Sequence, residues 1–210
     1  GVKEIENLIN NFLNEKNSFI FESVEKGFIK GRYTIFGRNP DKIWEFNNNK
    51  CVLNYENKKK ILKGTPKKNI EKIIENFKFK IPSELPPISS IISGYFSYDI
   101  IRYIEKVPDK CRDDLNIPDI KLIRPKTLII HDNLYKKIYF IANCYSDEKI
   151  SNYETYYYKL LQNINFLKNS TFNFQSQKII KKTNKNKVLV KSNISKIKFK
   201  KMVLKAKKYI

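Results

Sequence analysis

Ser18-Phe19-Ile20-Phe21-Glu22-Ser23-Val24 is followed, eight residues after Ser23, by Gly31-Arg32-Tyr33-Thr34-Ile35-Phe36-Gly37. Each segment strings together apolar, aromatic and β-branched residues and is bounded by Gly, Asn or charged residues, which predicts two strands. Glu22 and Ser23 lie inside the first, and Arg32 stands at the mouth of the second. On adjacent strands, a carboxylate, a hydroxyl and a guanidinium make a cradle for a zwitterionic small molecule. The same residues also suit a plain hairpin with an ion pair at its rim. In a regular strand Glu22 and Ser23 face opposite sides, so both reach one ligand only through a bulge or through the Glu22 backbone.

Working outward, further strands are predicted over 42–47 and 50–55, joined at Asn47-Asn48-Asn49, where Asn tolerates positive φ. Thr65-Pro66 reads as an N-cap and an N1 proline opening a helix, with Ile70, Ile73, Ile74 and Phe77 on one face. Pro82, Pro86 and Pro87 mark a connection. Ile88–Tyr98 reads as a buried strand and Asp99–Glu105 as a helical turn. Leu128–His131 and Lys137–Tyr145 read as strands around a turn at Asp132-Asn133. Tyr153, Tyr156, Tyr157, Leu160, Leu161 and Ile164 repeat at helical spacing, which predicts a helix over 148–166 with that stripe in the core.

Ile5, Leu8, Ile9, Phe12 and Leu13 predict a first helix, and 168–187 a Lys/Asn-rich linker. Val188-Leu189-Val190 reads as a short strand. A last helix from Ser195 carries Phe199, Met202, Val203, Ala206 and Ile210 on one face and lacks a C-cap signal, as in a chain that continues. These elements together predict an α+β fold with a largely antiparallel sheet. The divisions expected are 1–145, 146–187 and 188–210.

Composition narrows the function classes. With 41% apolar and 13% aromatic residues the chain can build a core,. No apolar run is long enough to span a membrane, and the N-terminal residues lack a secretory h-region. Cys51, Cys111 and Cys144 are too scattered for a disulfide framework or zinc site, which points to a reducing cytoplasm. The net charge of +21 invites a nucleic-acid reading, but only five of the 42 basic residues are Arg. Lys is spread through Asn- and Ile-rich sequence, which describes a solvated surface better than a phosphate-reading patch. There is no glycine-rich phosphate loop. His131 sits in an apolar strand as a structural imidazole, and Asp113-Asp114 reads as a loop-fixing pair. No catalytic constellation is present.

Several segments in order resemble the N-terminal half of anthranilate synthase component I. Ser18–Val24 is similar to that family's S-F-L-L-E-S-V, and Gly31–Gly37 to G-R-Y-S-F-I-G, with Pro40-Asp41 following. Pro86-Pro87, Gly94-Tyr95-Phe96-Ser97-Tyr98-Asp99 and Arg102-Tyr103 resemble P-P, G-Y-F-G-Y-D and R-Y. Asp113-Asp114-Leu115-Asn116-Ile117-Pro118-Asp119 resembles D-D-L-G-L-P-D. His131-Asp132-Asn133-Leu134 and Lys137-Ile138-Tyr139 resemble the strand pair that follows. Ser192-Asn193-Ile194-Ser195 resembles S-N-M-T at the start of the chorismate-binding half. Lys198 departs from the family's Glu three residues after the helix cap, which removes a capping box.

The resemblance implies the N-terminal half of the chorismate-utilising sandwich fold. It also implies a lyase of tryptophan biosynthesis that makes anthranilate and pyruvate from chorismate and glutamine. Mg²⁺ and chorismate would be held by the second half, so this chain carries no cofactor and is expected to be inactive alone. Ammonia would come from a glutamine amidotransferase subunit. For this half the implied role is feedback: L-tryptophan bound at Glu22 and Ser23, with Arg32 a weaker candidate. Gly94, Tyr95, Tyr98, Asp99 and Arg102 form a second cluster, read either as an interdomain relay or as a core strand ending in a capped helix. Aminodeoxychorismate synthase component I is the nearest alternative, and a Lys-rich nucleic-acid-binding protein a distant one. No specific nucleic acid and no membrane are expected as partners.

Overall fold

The computed structural model describes residues 15–22, 31–108, 113, 115–172 and 192–209. It divides into two compact units, Gly1–Phe174 and Gln175–Ile210. The first is built on two long antiparallel strands, β2 (Tyr33–Asn47) and β6 (Ile120–Asp132), paired along almost their whole length. Around them lie β1 (Phe19–Phe21), β3 (Lys50–Tyr55), β4 (Lys58–Leu62), β5 (Ser93–Phe96) and β7 (Lys137–Ala142), all antiparallel to their neighbours. Helix α1 (Pro66–Asn76), a 3₁₀ turn (Tyr98–Tyr103) and helix α2 (Tyr153–Phe172) complete the unit. The antiparallel α+β architecture is therefore the one expected from the pattern.

The central ribbon is really two half-sheets. Pro40 stands opposite Pro125, and the register shifts between Pro40 and Lys42. Neither proline has an amide hydrogen to give, so the ladder loosens at this rung. Asn39, at φ 52°, supplies the left-handed residue that the bulge needs,. On one side of the bend, β1 and β7 flank the central pair; on the other, β3, β4 and β5 do.

The first half is covered on both faces. Phe36 and Ile129 pack with Leu167 of α2, while Leu128, Ile130 and Ile141 pack with Phe19, Ile35, Ile88 and Ile91. Hence the run Leu128 to Asp132 is buried without alternation,. The second half alternates. Trp44, Phe46, Cys51 and Leu122 point to α1, with Ile73 inserted among them. Glu45, Asn54 and Lys121, at the intervening positions, are only partly buried.

Local chemistry explains the turns. Asn48 (φ 48°) and Asn49 (φ 61°) close the β2–β3 hairpin with both central residues left-handed,. Glu56 (φ 45°) and Asn57 (φ 59°) repeat this between β3 and β4. The Thr65 hydroxyl accepts a hydrogen bond from Lys68 N at 3.4 Å, capping α1 ahead of Pro66,. Asp113 Oδ1 accepts from the amides of Leu115 and Asn116, at 3.2 and 2.9 Å, so it does stabilise its loop.

Three expectations need correction, and one strand was not foreseen. The strands predicted over 32–37 and 42–47 are one strand, because Pro40 bulges the ribbon without ending it. The strand over 88–98 shrinks to Ser93–Phe96. Upstream of it, Ser89 donates to Pro86 O and accepts from Asn143 Nδ2, so its backbone leaves the ladder. β4 is a strand that the Lys58-Lys59-Lys60 charge run hid. Finally, the tyrosine stripe is not core: Tyr153 and Tyr157 are 71% and 58% exposed. Helix α2 instead buries Leu167 and Thr171 near its C-terminal end.

In the second unit, Ser195 caps helix α3 (Lys196–Lys207), accepting from Lys198 N at 3.3 Å. The first predicted helix, Cys111, Asp114 and Val188–Val190 lie outside the described residues.

Candidate functional site

Antiparallel pairing of Phe19–Phe21 with Ile35–Gly37 brings the end of β1 to the start of β2. Glu22, exposed and just past Phe21, thus lies at the same end of the ribbon as Arg32. Ser23 lies outside the described residues. A Cβ on Gly37 would stand 2.1 Å from the Phe19 ring, so any larger residue here has to displace that ring.

Arg32 makes a bidentate pair with Asp132, whose side chain is 1% exposed. The guanidinium also sits 4.7 Å from the Tyr33 ring and 4.9 Å from the Tyr135 ring,. Asp132 Oδ1 accepts from the amides of Leu134 and Tyr135 as well. Burial works to raise the Asp132 pKa, but Arg32 and these amides hold it below the ordinary carboxylate range,. Asn133 ties the other side, donating through N to Arg32 O at 2.7 Å and through Nδ2 to Gly31 O at 3.1 Å. The ribbon end is therefore a pre-organised platform with an ion pair at its rim. The sequence showed Arg32 but not its partner; the only signal was the turn-forming Asp132-Asn133.

The second predicted cluster lies at the far end of the central pair. Gly94 sits opposite Leu122, and a Cβ on it would stand 1.9 Å from the Lys121 carbonyl oxygen. Tyr95 donates its hydroxyl to Pro118 O at 3.0 Å, and Ser97 N donates to Asp119 O at 2.8 Å. Tyr103 donates to the Asp119 carboxylate. Asp99 and Arg102 pair with each other at 2.5 Å within the 3₁₀ turn. Tyr98 is 89% exposed and Phe96 51%. Gly94, Tyr95 and the Asp99–Arg102 pair thus shape one surface, on which aromatic rings stand in solvent. It lies on the opposite side of the bend from Arg32.

Between the two ends, Arg124 joins the bend together. It forks onto Asp41 in the bulge and reaches both oxygens of Asp147, beyond β7. Its guanidinium lies 3.8 Å from the Tyr145 ring, and Lys42 takes the other side of Asp147. Burial opposes the charge on Asp147, yet Arg124 and Lys42 pull its pKa down to about 2. No reading of the sequence singled out this node. Beside it, under α1, lies a cavity of about 790 Å³. His131 is buried on β6 between Thr34 and Ile138, as expected of a core imidazole. Among the described residues no group of three or more His, Cys, Asp or Glu is placed to hold a metal ion. No helix among them is long and apolar enough to cross a membrane.

Comparison with known proteins places these features. The family model described as chorismate binding enzyme matches residues 16–210. The chain belongs to the chorismate-binding enzyme family. Relatives within it include anthranilate synthase component 1 of Acetivibrio thermocellus, 31% identical over 198 residues, covering 91% of this chain and 40% of that protein. The protein of the same name from Aquifex aeolicus is 29% identical over 208 residues, covering 94% and 40%. The chain thus spans about 40% of the length of these relatives. The crystal structure of anthranilate synthase component I from Streptococcus pneumoniae TIGR4 shares the fold. Its TM-score is 0.54 at 22% identity, covering 78% of this chain and 35% of that one. For this family member, the resemblance carried by the strand motifs and the fold likeness agree.

Proposed function

We propose that this chain is the N-terminal regulatory and structural portion of an anthranilate synthase component I, with L-tryptophan as its feedback effector. The observation that carries the reading is the family match from residue 16 to residue 210, together with relatives named anthranilate synthase component 1. The substrates are chorismate and glutamine, and the products anthranilate, pyruvate and glutamate; this is lyase chemistry of tryptophan biosynthesis, in the cytoplasm. A glutamine amidotransferase subunit supplies ammonia. Mg²⁺ belongs with the catalytic half. The described residues of this chain do not suit it, and no step is routed through them.

The effector site is the end of the β1–β2 ribbon. An α-ammonium group needs an acceptor, which the exposed Glu22 supplies,. An α-carboxylate needs donors, and the Ser23 hydroxyl is one. Arg32 is engaged by Asp132, so its part is to hold the platform rigid. The Gly94–Arg102 surface is the relay to the rest of the enzyme. Feedback of this kind needs about 1–3 kcal/mol of coupling, within reach of one or two effector hydrogen bonds.

Calorimetry of the full-length protein with L-tryptophan tests the reading. Saturable binding that is lost in Ser23→Ala is expected; no heat with the wild type overturns it. The product assay separates the folate-pathway alternative, since anthranilate is expected and aminodeoxychorismate is not.

A further inference from the structure

We infer that the cavity under α1 is a binding site for a small polyanion with an apolar body. At about 790 Å³ it has the scale of a small-molecule site,. Leu53 and Ile92 line it beside the buried side chains of Trp44 and Ile73, so its walls are largely apolar. Lys60 and Lys63 enter from β4 and its exit, and Lys72 and Lys78 from α1 and the residues just beyond it.

Two observations separate this from a generally lysine-rich surface. Asp147 is the sole carboxylate that lines the cavity, and it is already shared by Arg124 and Lys42. Glu71 and Glu75 of α1 are not among the lining residues. Accordingly, Lys60, Lys63, Lys72 and Lys78 have no carboxylate partner among the described residues. Uncompensated charge in a concavity with low-dielectric walls concentrates the field on whatever enters.

The two surfaces together define the ligand. A bare inorganic anion would leave the apolar lining wet, and a neutral hydrocarbon would leave the lysines uncompensated. A ring or short hydrocarbon carrying two or more carboxylate or phosphate groups meets both. This site is independent of the effector site at the β1–β2 ribbon.

Calorimetric titration of the full-length protein with benzene-1,3,5-tricarboxylate tests the inference, with citrate as the non-aromatic probe of similar charge. One saturable site is expected for the aromatic probe, with weaker binding of citrate. The double variant Lys63→Glu/Lys72→Glu should raise Kd about tenfold or more. Lys159→Glu/Lys168→Glu, both on α2 and not among the cavity-lining residues, makes the same charge change outside the cavity and should leave Kd within about twofold,. All four lysines are exposed, so neither variant disturbs the core. Equal weakening by the two pairs, citrate binding as tightly as the aromatic probe, or no saturable heat each overturn the proposal.

Discussion

The two halves of the central ribbon share the same two strands and yet are built on different rules. Below the bend, with β1 and β7, both faces of the sheet are covered and successive residues of β6 are buried. Above it, with β3, β4 and β5, one face packs on α1 and the other carries Glu45, Asn54 and Lys121. A strand therefore changes from a two-sided core element to a one-sided one within thirteen residues of β6: burial is continuous over Leu122–Pro125 beside the opposed prolines and alternates only over Ile120–Leu122. The lesson is that a bulge can serve as a boundary between packing regimes without ending either strand.

The largest expected effect is at the boundary itself. Arg124→Ala removes the group that holds Asp41 and Asp147, leaving Asp41 little exposed and unpaired. A loss of about 3–5 kcal/mol is expected in denaturant unfolding. A loss below about 1 kcal/mol would mean that the halves hold together without this node.

Next comes a direct contrast between the two regimes. Ile130→Ala in the closed half should cost about 2–5 kcal/mol, since its site is fully buried,. Ile61→Ala in the open half, at a residue 69% exposed, should stay within about 0.5 kcal/mol,. A large cost at Ile61 in the full-length protein would show that this face is covered there.

The glycines sharpen the contrast further. Both Gly37→Ala and Gly94→Ala overfill their sites, at an expected cost of about 1–3 kcal/mol. Gly94 should be the more costly, because its Cβ meets a backbone oxygen while that of Gly37 meets a side-chain ring. Thermal unfolding of both variants ranks them, and the reverse order would mean the closed half yields less than the open one.

The smallest effect is with pH. Asp132 and Asp147 have folded-state pKa values below their unfolded ones, that of Asp147 at about 2. Their stabilisation is complete above the unfolded value of about 4 and is lost as pH falls through the folded values. Urea midpoints at pH 7, 4 and 3 should fall with acid, less steeply in Asp132→Asn. An equal slope in that variant would remove Asp132 from the account.

Much of this is legible in the sequence. Asn48-Asn49 announced a hairpin, Thr65-Pro66 a helix start and Ser195 another, because each signal is local and its chemistry is confined to a few adjacent residues. What escaped depended on residues far apart. Asp41, Arg124 and Asp147 meet across separations of 83 and 23 positions, and no spacing rule connects them. Arg32 was visible as a candidate, but its capture by Asp132 was not. β4 was hidden since Lys58-Lys59-Lys60 reads as a charge run, although lysines suit an edge strand that must not pair with another chain,. The tyrosines of α2 have helical spacing without the burial that spacing suggests, because the helix meets β7 mainly through its C-terminal end, where Phe172 contacts Phe140.

The long pairing of β2 with β6 also sets a schedule for the nascent chain. β2 leaves the ribosome with β3 and β4 close behind, but its other edge waits roughly 75–100 residues for β6,. At about 5–20 residues per second, that edge stays open for some seconds of translation. The hairpin meander can form in that interval, whereas the central ribbon cannot, so a chaperone that shields bare strands has its moment here.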